Sequence, residues 1–303
     1  MRILLTGGTG LIGRRLCREL LQRGHELTVL SRRPETVPGK CGARVHAWKS
    51  LDQWEPQISF DAVVNLAGEP IADKRWAREQ KQRLWDSRIT LTGQLASRIA
   101  AARQKPKVLL SGSAIGYYGD RGDDALPENA SPGSDFAAAL CQAWETAANK
   151  VQPLGVRVCT LRTGLVLSND GGVLDRFRFP FKMGLGFRIG GGDQWMSWIH
   201  IADYTAAALK MLDEETMSGP YNMTAPSPMR NREFARTLAA ALHRPAWLAA
   251  PAWLLRLALG ERASLLLGGQ RVLPARLQQA GFPFRYASLQ AALKNLVAAQ
   301  TES

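Results

Sequence analysis

The chain has 303 residues, 46% hydrophobic and 21% charged, a globular balance far from disordered or fibrous composition. Its formal charge of +13 raises nucleic acid as a partner, but no long Lys/Arg block occurs and the aromatics do not interleave with basic residues, so that reading is disfavoured. No apolar run reaches the roughly 18 residues that span a bilayer, and the scattered Cys17, Cys41, Cys141 and Cys159 form neither a CxxC pair nor a histidine-rich cluster, which argues against a metal site and a disulfide framework. The expectation is a cytoplasmic protein with no metal and no membrane partner; Met1 and Arg2 lead straight into a strand-like run, without a signal-peptide pattern.

Residues 2–6 (RILLT) read as a strand. They run into Gly7-Gly8-Thr9-Gly10-Leu11-Ile12-Gly13, then a helical period over residues 14–23 with Leu16, Leu20 and Leu21 on one side. Gly24 ends that helix and residues 26–30 (ELTVL) form the next strand. Glycines at 7, 10 and 13 therefore sit inside a β-α-β unit. Such a bend lets the backbone approach a pyrophosphate that the helix N-terminus attracts with free N–H groups and its dipole. The context makes the triplet a strong signal for a dinucleotide, with Gly7, Thr9, Gly10, Leu11, Ile12 and Gly13 as its contacts.

The end of the second strand carries Ser31-Arg32-Arg33. A carboxylate there would hold a ribose 2′-hydroxyl, whereas an arginine pairs with a 2′-phosphate. Ser31 and Arg32 thus point to NADP rather than NAD. A buried strand over 60–66 ends in Leu66-Ala67-Gly68, small enough for ribose to lie against it. A long helix or helix pair covers 75–103, with Arg88 as a candidate for an anionic substrate. A strand at 108–111, a helix at 135–150 and a strand at 156–161 follow. This alternation argues for a Rossmann-type, doubly wound parallel sheet, the fold class being α/β with a smaller C-terminal α/β substrate domain. Domain one is expected over 1–165, with segments around 190–225 returning to it. Domain two takes most of 166–303. Trp195 and His200 follow a glycine-rich loop and are candidate substrate contacts. Asn231 is a candidate cap for a helix at 232–242. The apolar stretches 247–259 and 261–267 read as helical core, with an oligomer contact or hydrophobic cover as the alternative.

TGGTGLIG, NLAG, SGSAIGYYG, RTGLVL and WIHIADYTAAAL together resemble the extended short-chain dehydrogenase/reductase superfamily. The tail, around 248–295, with LGERASLLLGGQRVLPARLQQAGFPFRY, is similar to the NAD(P)-dependent epimerase group that ends in the DUF1731 domain, the YfcH-like proteins. The resemblance implies a cofactor cleft between two domains, with Arg162 of RTGLVL passing near the nicotinamide. It also implies a catalytic serine and a Tyr-x-x-x-Lys pair on the following helix. Ser113 stands where the serine is expected. Anchored on Trp144-Glu145, the tyrosine slot falls on Ala137 and the lysine slot on Cys141, and neither supplies the chemistry. Tyr117, Tyr118 and Cys141 are the candidate replacements as acid or base. Two readings stay open: an NADP-dependent oxidoreductase or epimerase acting on a small, anionic substrate, and a non-catalytic NADP-binding regulatory protein. The sequence leaves homo-oligomer formation open.

Overall fold

Seven parallel strands form the central sheet of the computed structural model, which describes residues 1–298. Their spatial order is Gly219–Met223, Arg157–Thr163, Val108–Ala114, Ala62–Asn65, Arg2–Thr6, Glu26–Leu30 and His46–Trp48. Runs such as Ile3-Leu4-Leu5 and Val63-Val64 are buried on both faces, as a parallel sheet covered by helices requires. The helices Leu11–Gln22 and Ile201–Asp213 cover one face, through Leu16, Leu20, Tyr204 and Met211. Leu91–Ala101 and Phe136–Asn149 cover the other, through Leu95, Ile99 and Ala148.

The chain builds outward in one direction from Arg2–Thr6, then crosses back to place Ala62–Asn65 on the other side. A crevice opens beyond the carboxyl ends of these two strands, where doubly wound sheets hold ligands. A second core gathers Leu167, Phe181, Trp198, Phe234, Tyr286 and Leu293 into a smaller lobe. The tail ties the two together, since Leu277 and Phe282 pack into the first core.

Several elements differ from expectation. The first helix starts at Leu11, three residues early, because Gly10 already turns the chain into it. The helix or helix pair expected over 75–103 starts later, as Arg78–Trp85 and Leu91–Ala101 joined by a π-type turn, Asp86–Thr90. The strand expected at 108–111 runs on to Ala114. Arg230, not Asn231, occupies the cap position of the Asn231–Ala241 helix. The Asn231 amide is spent inside, accepting from the Ile189 N–H at 2.8 Å and facing Met196 Sδ. Within 190–225, Ile199, Tyr204, Leu209, Met211, Met217 and Tyr221 pack into the large lobe's core and Gly219–Met223 joins its sheet, whereas Trp195–Met196 pairs with Met229–Arg230. The core reading of 247–259 is overturned: Trp247, Trp253 and Leu257 are 76%, 67% and 71% exposed. Residues 299–303 of the expected second domain lie outside the described residues.

Candidate functional site

The bend after the first strand has a separate reason for each glycine. Gly7 has φ +72°, and a Cβ there would lie 2.6 Å from the Leu66 carbonyl carbon. A Cβ on Gly13 would lie 2.3 Å from the Gly7 oxygen, so Gly13 lets helix and bend close on each other. Gly10 differs: an added Cβ meets one atom, the Gly7 oxygen at 3.2 Å, and otherwise open space. Its bareness is not explained by packing. No side chain caps the Leu11–Gln22 helix, so its leading N–H groups remain available to an anion. That geometry fits a dinucleotide pyrophosphate.

The strand ends are fixed beneath this bend by a buried polar chain. Thr6 Oγ1 donates to Asn65 Oδ1 at 2.7 Å and accepts from the Ala67 N–H. Asn65 Nδ2 donates to Thr92 Oγ1, which also takes the Trp144 indole N–H at 3.0 Å. A cavity of about 270 Å³ runs from Gly7, Gly10, Leu11, Ile12 and Gly13 past Leu66 to Arg88, Ser113 and Cys141. The glycine bend and three of the residues expected to face substrate thus share one space.

Its far wall is an ionic network. Ser113 Oγ donates to Glu145 Oε1 at 2.7 Å. Arg162 clamps the same carboxylate, Nε to Oε1 at 2.8 Å and Nη2 to Oε2 at 2.9 Å. Its Nη1 donates to the Tyr118 hydroxyl and the Glu128 carbonyl, both at 2.9 Å. Tyr118 in turn donates to Asn222 Oδ1 at 2.6 Å. The Tyr117 ring lies 3.5 Å from the Arg162 guanidinium. Arg162 is therefore buried inside the wall with its donors committed, which corrects its expected contact with the cofactor. Glu145 is the residue that sequence reasoning missed as a member of the site. An arginine in the apolar strand VRVCTLRT was the available signal, because a buried cation demands a carboxylate.

The proposed acids and bases fare differently. Burial pushes the Cys141 thiol up to about 11 and the Tyr118 phenol up to about 12, so both keep their protons at neutral pH. Ala137, in the tyrosine slot, is buried in the Phe136–Asn149 helix. Arg88 does reach the cavity. Its Nη2 donates to the Glu69 carbonyl at 2.9 Å and its guanidinium lies over Trp144; burial lowers its pKa. A Cβ on Gly68 would lie 3.0 Å from Arg88 Cζ, so Gly68 makes room for that guanidinium.

Other candidates sit elsewhere. Arg32 is 93% exposed at its side chain, with Glu69 3.9 Å away, and Ser31 Oγ accepts from the Arg33 N–H. Trp195 donates to Asp123 Oδ1 at 2.8 Å, with the Arg230 and Arg271 guanidinium groups lying over its ring. His200 is structural: Nδ1 accepts from the Ala202 N–H to cap the Ile201–Asp213 helix, and the ring stacks on Tyr286 at 3.9 Å. Burial lowers its pKa to about 4, so it stays neutral. Neither Trp195 nor His200 lines the cavity. No helix among the described residues is long and apolar enough to cross a membrane, and no group of three His, Cys, Asp or Glu residues there could hold a metal ion.

Residues 3–223 match the model of the NAD dependent epimerase/dehydratase family, and residues 250–296 match a domain of unknown function, DUF1731. Epimerase family protein MW0731 of Staphylococcus aureus is 39% identical over 297 residues, covering 97% of this chain and 98% of that protein. A crystal structure of human epimerase family protein SDR39U1 (isoform 2) with NADPH is 35% identical, covers 98% of this chain and 99% of its own, and superposes with a TM-score of 0.89. A nucleoside-diphosphate sugar epimerase from Corynebacterium glutamicum is 31% identical with a TM-score of 0.76, and this chain spans 61% of it. The UDP-glucose 4-epimerase of Thermotoga maritima, 16% identical with a TM-score of 0.82, shares the fold. The chain belongs to the NAD dependent epimerase/dehydratase family.

Proposed function

We propose that this member of the epimerase/dehydratase family is an NADP(H)-dependent oxidoreductase or epimerase that works without the usual Tyr-x-x-x-Lys pair. The observation that carries the reading is the single cavity joining the bare Gly10 bend to Ser113 and Arg88. The NADPH held by the human relative supports the choice of cofactor, as does the exposed Arg32 guanidinium beyond the second strand.

When bound, the cofactor supplies or accepts the hydride. The protein's own groups hold and orient. Ser113 donates its hydrogen bond to Glu145, which leaves its lone pairs to accept a hydrogen bond from a substrate hydroxyl. Arg88 adds a cation to the same cavity, suited to a carboxylate, a phosphate or an oxygen gaining negative charge. A small hydroxylated anion fits both, and the sugar nucleotide in the name of the Corynebacterium relative is one member of that class.

A second reading, a non-catalytic NADP-binding regulatory protein, draws on one specific observation: with Cys141 at about 11 and Ala137 in the tyrosine slot, the cavity holds no group tuned to exchange a proton near neutral pH. Fluorescence titration with NADPH and NADH, followed by NADPH consumption across carbonyl compounds and nucleotide sugars, separates the two. The expected result is saturable NADPH binding, with Arg32→Glu weakening NADPH by about tenfold or more and NADH little. Equal loss for both cofactors removes the 2′-phosphate assignment, and no saturation by either removes the whole reading. Binding without turnover favours the regulatory protein.

A further inference from the structure

The small lobe carries an apolar face that the site does not use. Phe179, Met183 and Leu185 are exposed at the end of the Val173–Lys182 helix and just after it, and Trp247, Leu248, Trp253, Leu254 and Leu257 are exposed beyond residue 246. The two segments run side by side. Arg244 Nε donates to the Lys182 carbonyl, Ala246–Ala250 pairs in parallel with Gly186–Ile189, and the Gly190 N–H reaches the Ala250 carbonyl. The Ala252–Leu259 helix continues directly from there. Scattered apolar residues need no explanation, but a joined set of this size does.

Its charge is one-sided. Residues 176–192 and 234–260 contain no Asp or Glu. Lys182, Arg188, Arg236, Arg244 and Arg256 are exposed there, and none makes an ion pair among the described residues. A second copy is a poor occupant, because a two-fold contact would set these cations against their own images on a chain already at +13. An anionic surface with an apolar interior satisfies both halves.

We infer that this face lies on the surface of an anionic lipid bilayer, with Trp247, Trp253 and Leu257 entering the headgroup region and the lysine and arginines paired with lipid phosphates. Tryptophan favours that interface, and binding of this kind adds buried apolar area to electrostatic attraction. The sequence expectation of no membrane partner rested on the missing spanning segment, and lying on a surface needs none.

The full chain is floated with phosphatidylcholine vesicles and with vesicles that also contain phosphatidylglycerol. It should float with the second and not the first, and added salt should release it. The double variants Trp253→Ser with Leu257→Ser, and Lys182→Glu with Arg256→Glu, should each cut the bound fraction about tenfold. Their melting curves should match the wild type, since all four side chains are exposed. Wild-type protein that stays in solution with both vesicles overturns the inference. So does equal binding to neutral vesicles, or a dimer in sedimentation velocity that the Trp253→Ser, Leu257→Ser variant dissolves.

Discussion

At the mouth of the cavity side chains are missing, while along its wall every polar side chain has a partner. Gly7, Gly10 and Gly13 clear a path for backbone N–H groups, whereas Ser113, Glu145, Arg162 and Tyr118 form a chain in which each side chain holds the next. The mouth is built to receive an anion. The wall is built to stay put, and of these four side chains only Ser113 lines the space. Where the resemblance implies a tyrosine and a lysine, this wall carries Ala137 and Cys141, and Ser113 turns its hydrogen bond inward to Glu145.

The comparison breaks most visibly at the glycines. Gly13→Val forces a side chain to within 2.3 Å of a carbonyl oxygen, so thermal unfolding should show a loss of about 4 kcal/mol or no folded protein at all. Gly10→Val should fold, at a cost of about 1 kcal/mol for the poorer cap position, yet lose NADPH affinity about a hundredfold because its methyls fill the phosphate space. If both variants lost stability alike, the distinction between a packing glycine and a ligand glycine would be wrong.

Arg162→Met tests the wall. Removing the cation leaves Glu145 buried against Ser113 with no counter-charge, which typically costs about 3–5 kcal/mol. NADPH affinity, measured on the fraction still folded, should change by less than about threefold. A collapse of affinity with an unchanged melting temperature would return Arg162 to the cofactor. Replacing both partners, Arg162→Met with Glu145→Leu, should recover part of the loss, because the uncompensated carboxylate goes with its partner.

The mouth was legible in the sequence because its signal is local: three glycines between a strand and a helix fix the chain path within seven residues. The wall was not, because Glu145 and Arg162 lie 17 positions apart and meet only when the Phe136–Asn149 helix packs on the strand Arg157–Thr163. Sequence also cannot tell an apolar stretch that is buried from one that is bare, so 247–259 read as core. Asn231 read as a cap for the right helix, yet its amide turned inward to Ile189. His200 misled for a related reason. A histidine beside a glycine-rich loop suggests a ligand, and what decides the matter is the ring of Tyr286 folded over it from 86 residues further on.

His200 also allows the smallest of these tests, with a sign fixed by its surroundings. Burial lowers its pKa from 6.5 to about 4, so between those values the unfolded chain takes up a proton that the folded chain refuses. Stability from this residue is therefore complete above pH 6.5 and falls as pH drops toward 4. The loss reaches about 3 kcal/mol at the bottom of that window. Asparagine offers the Ala202 N–H a side-chain oxygen in place of the histidine Nδ1 and does not titrate. His200→Asn should accordingly melt close to the wild type at pH 7, or slightly lower for the lost stacking on Tyr286, and then overtake it as the pH is lowered toward 4. Parallel melting curves at every pH would mean that the ring is protonated in the fold, and would reopen a place for His200 beside an anion.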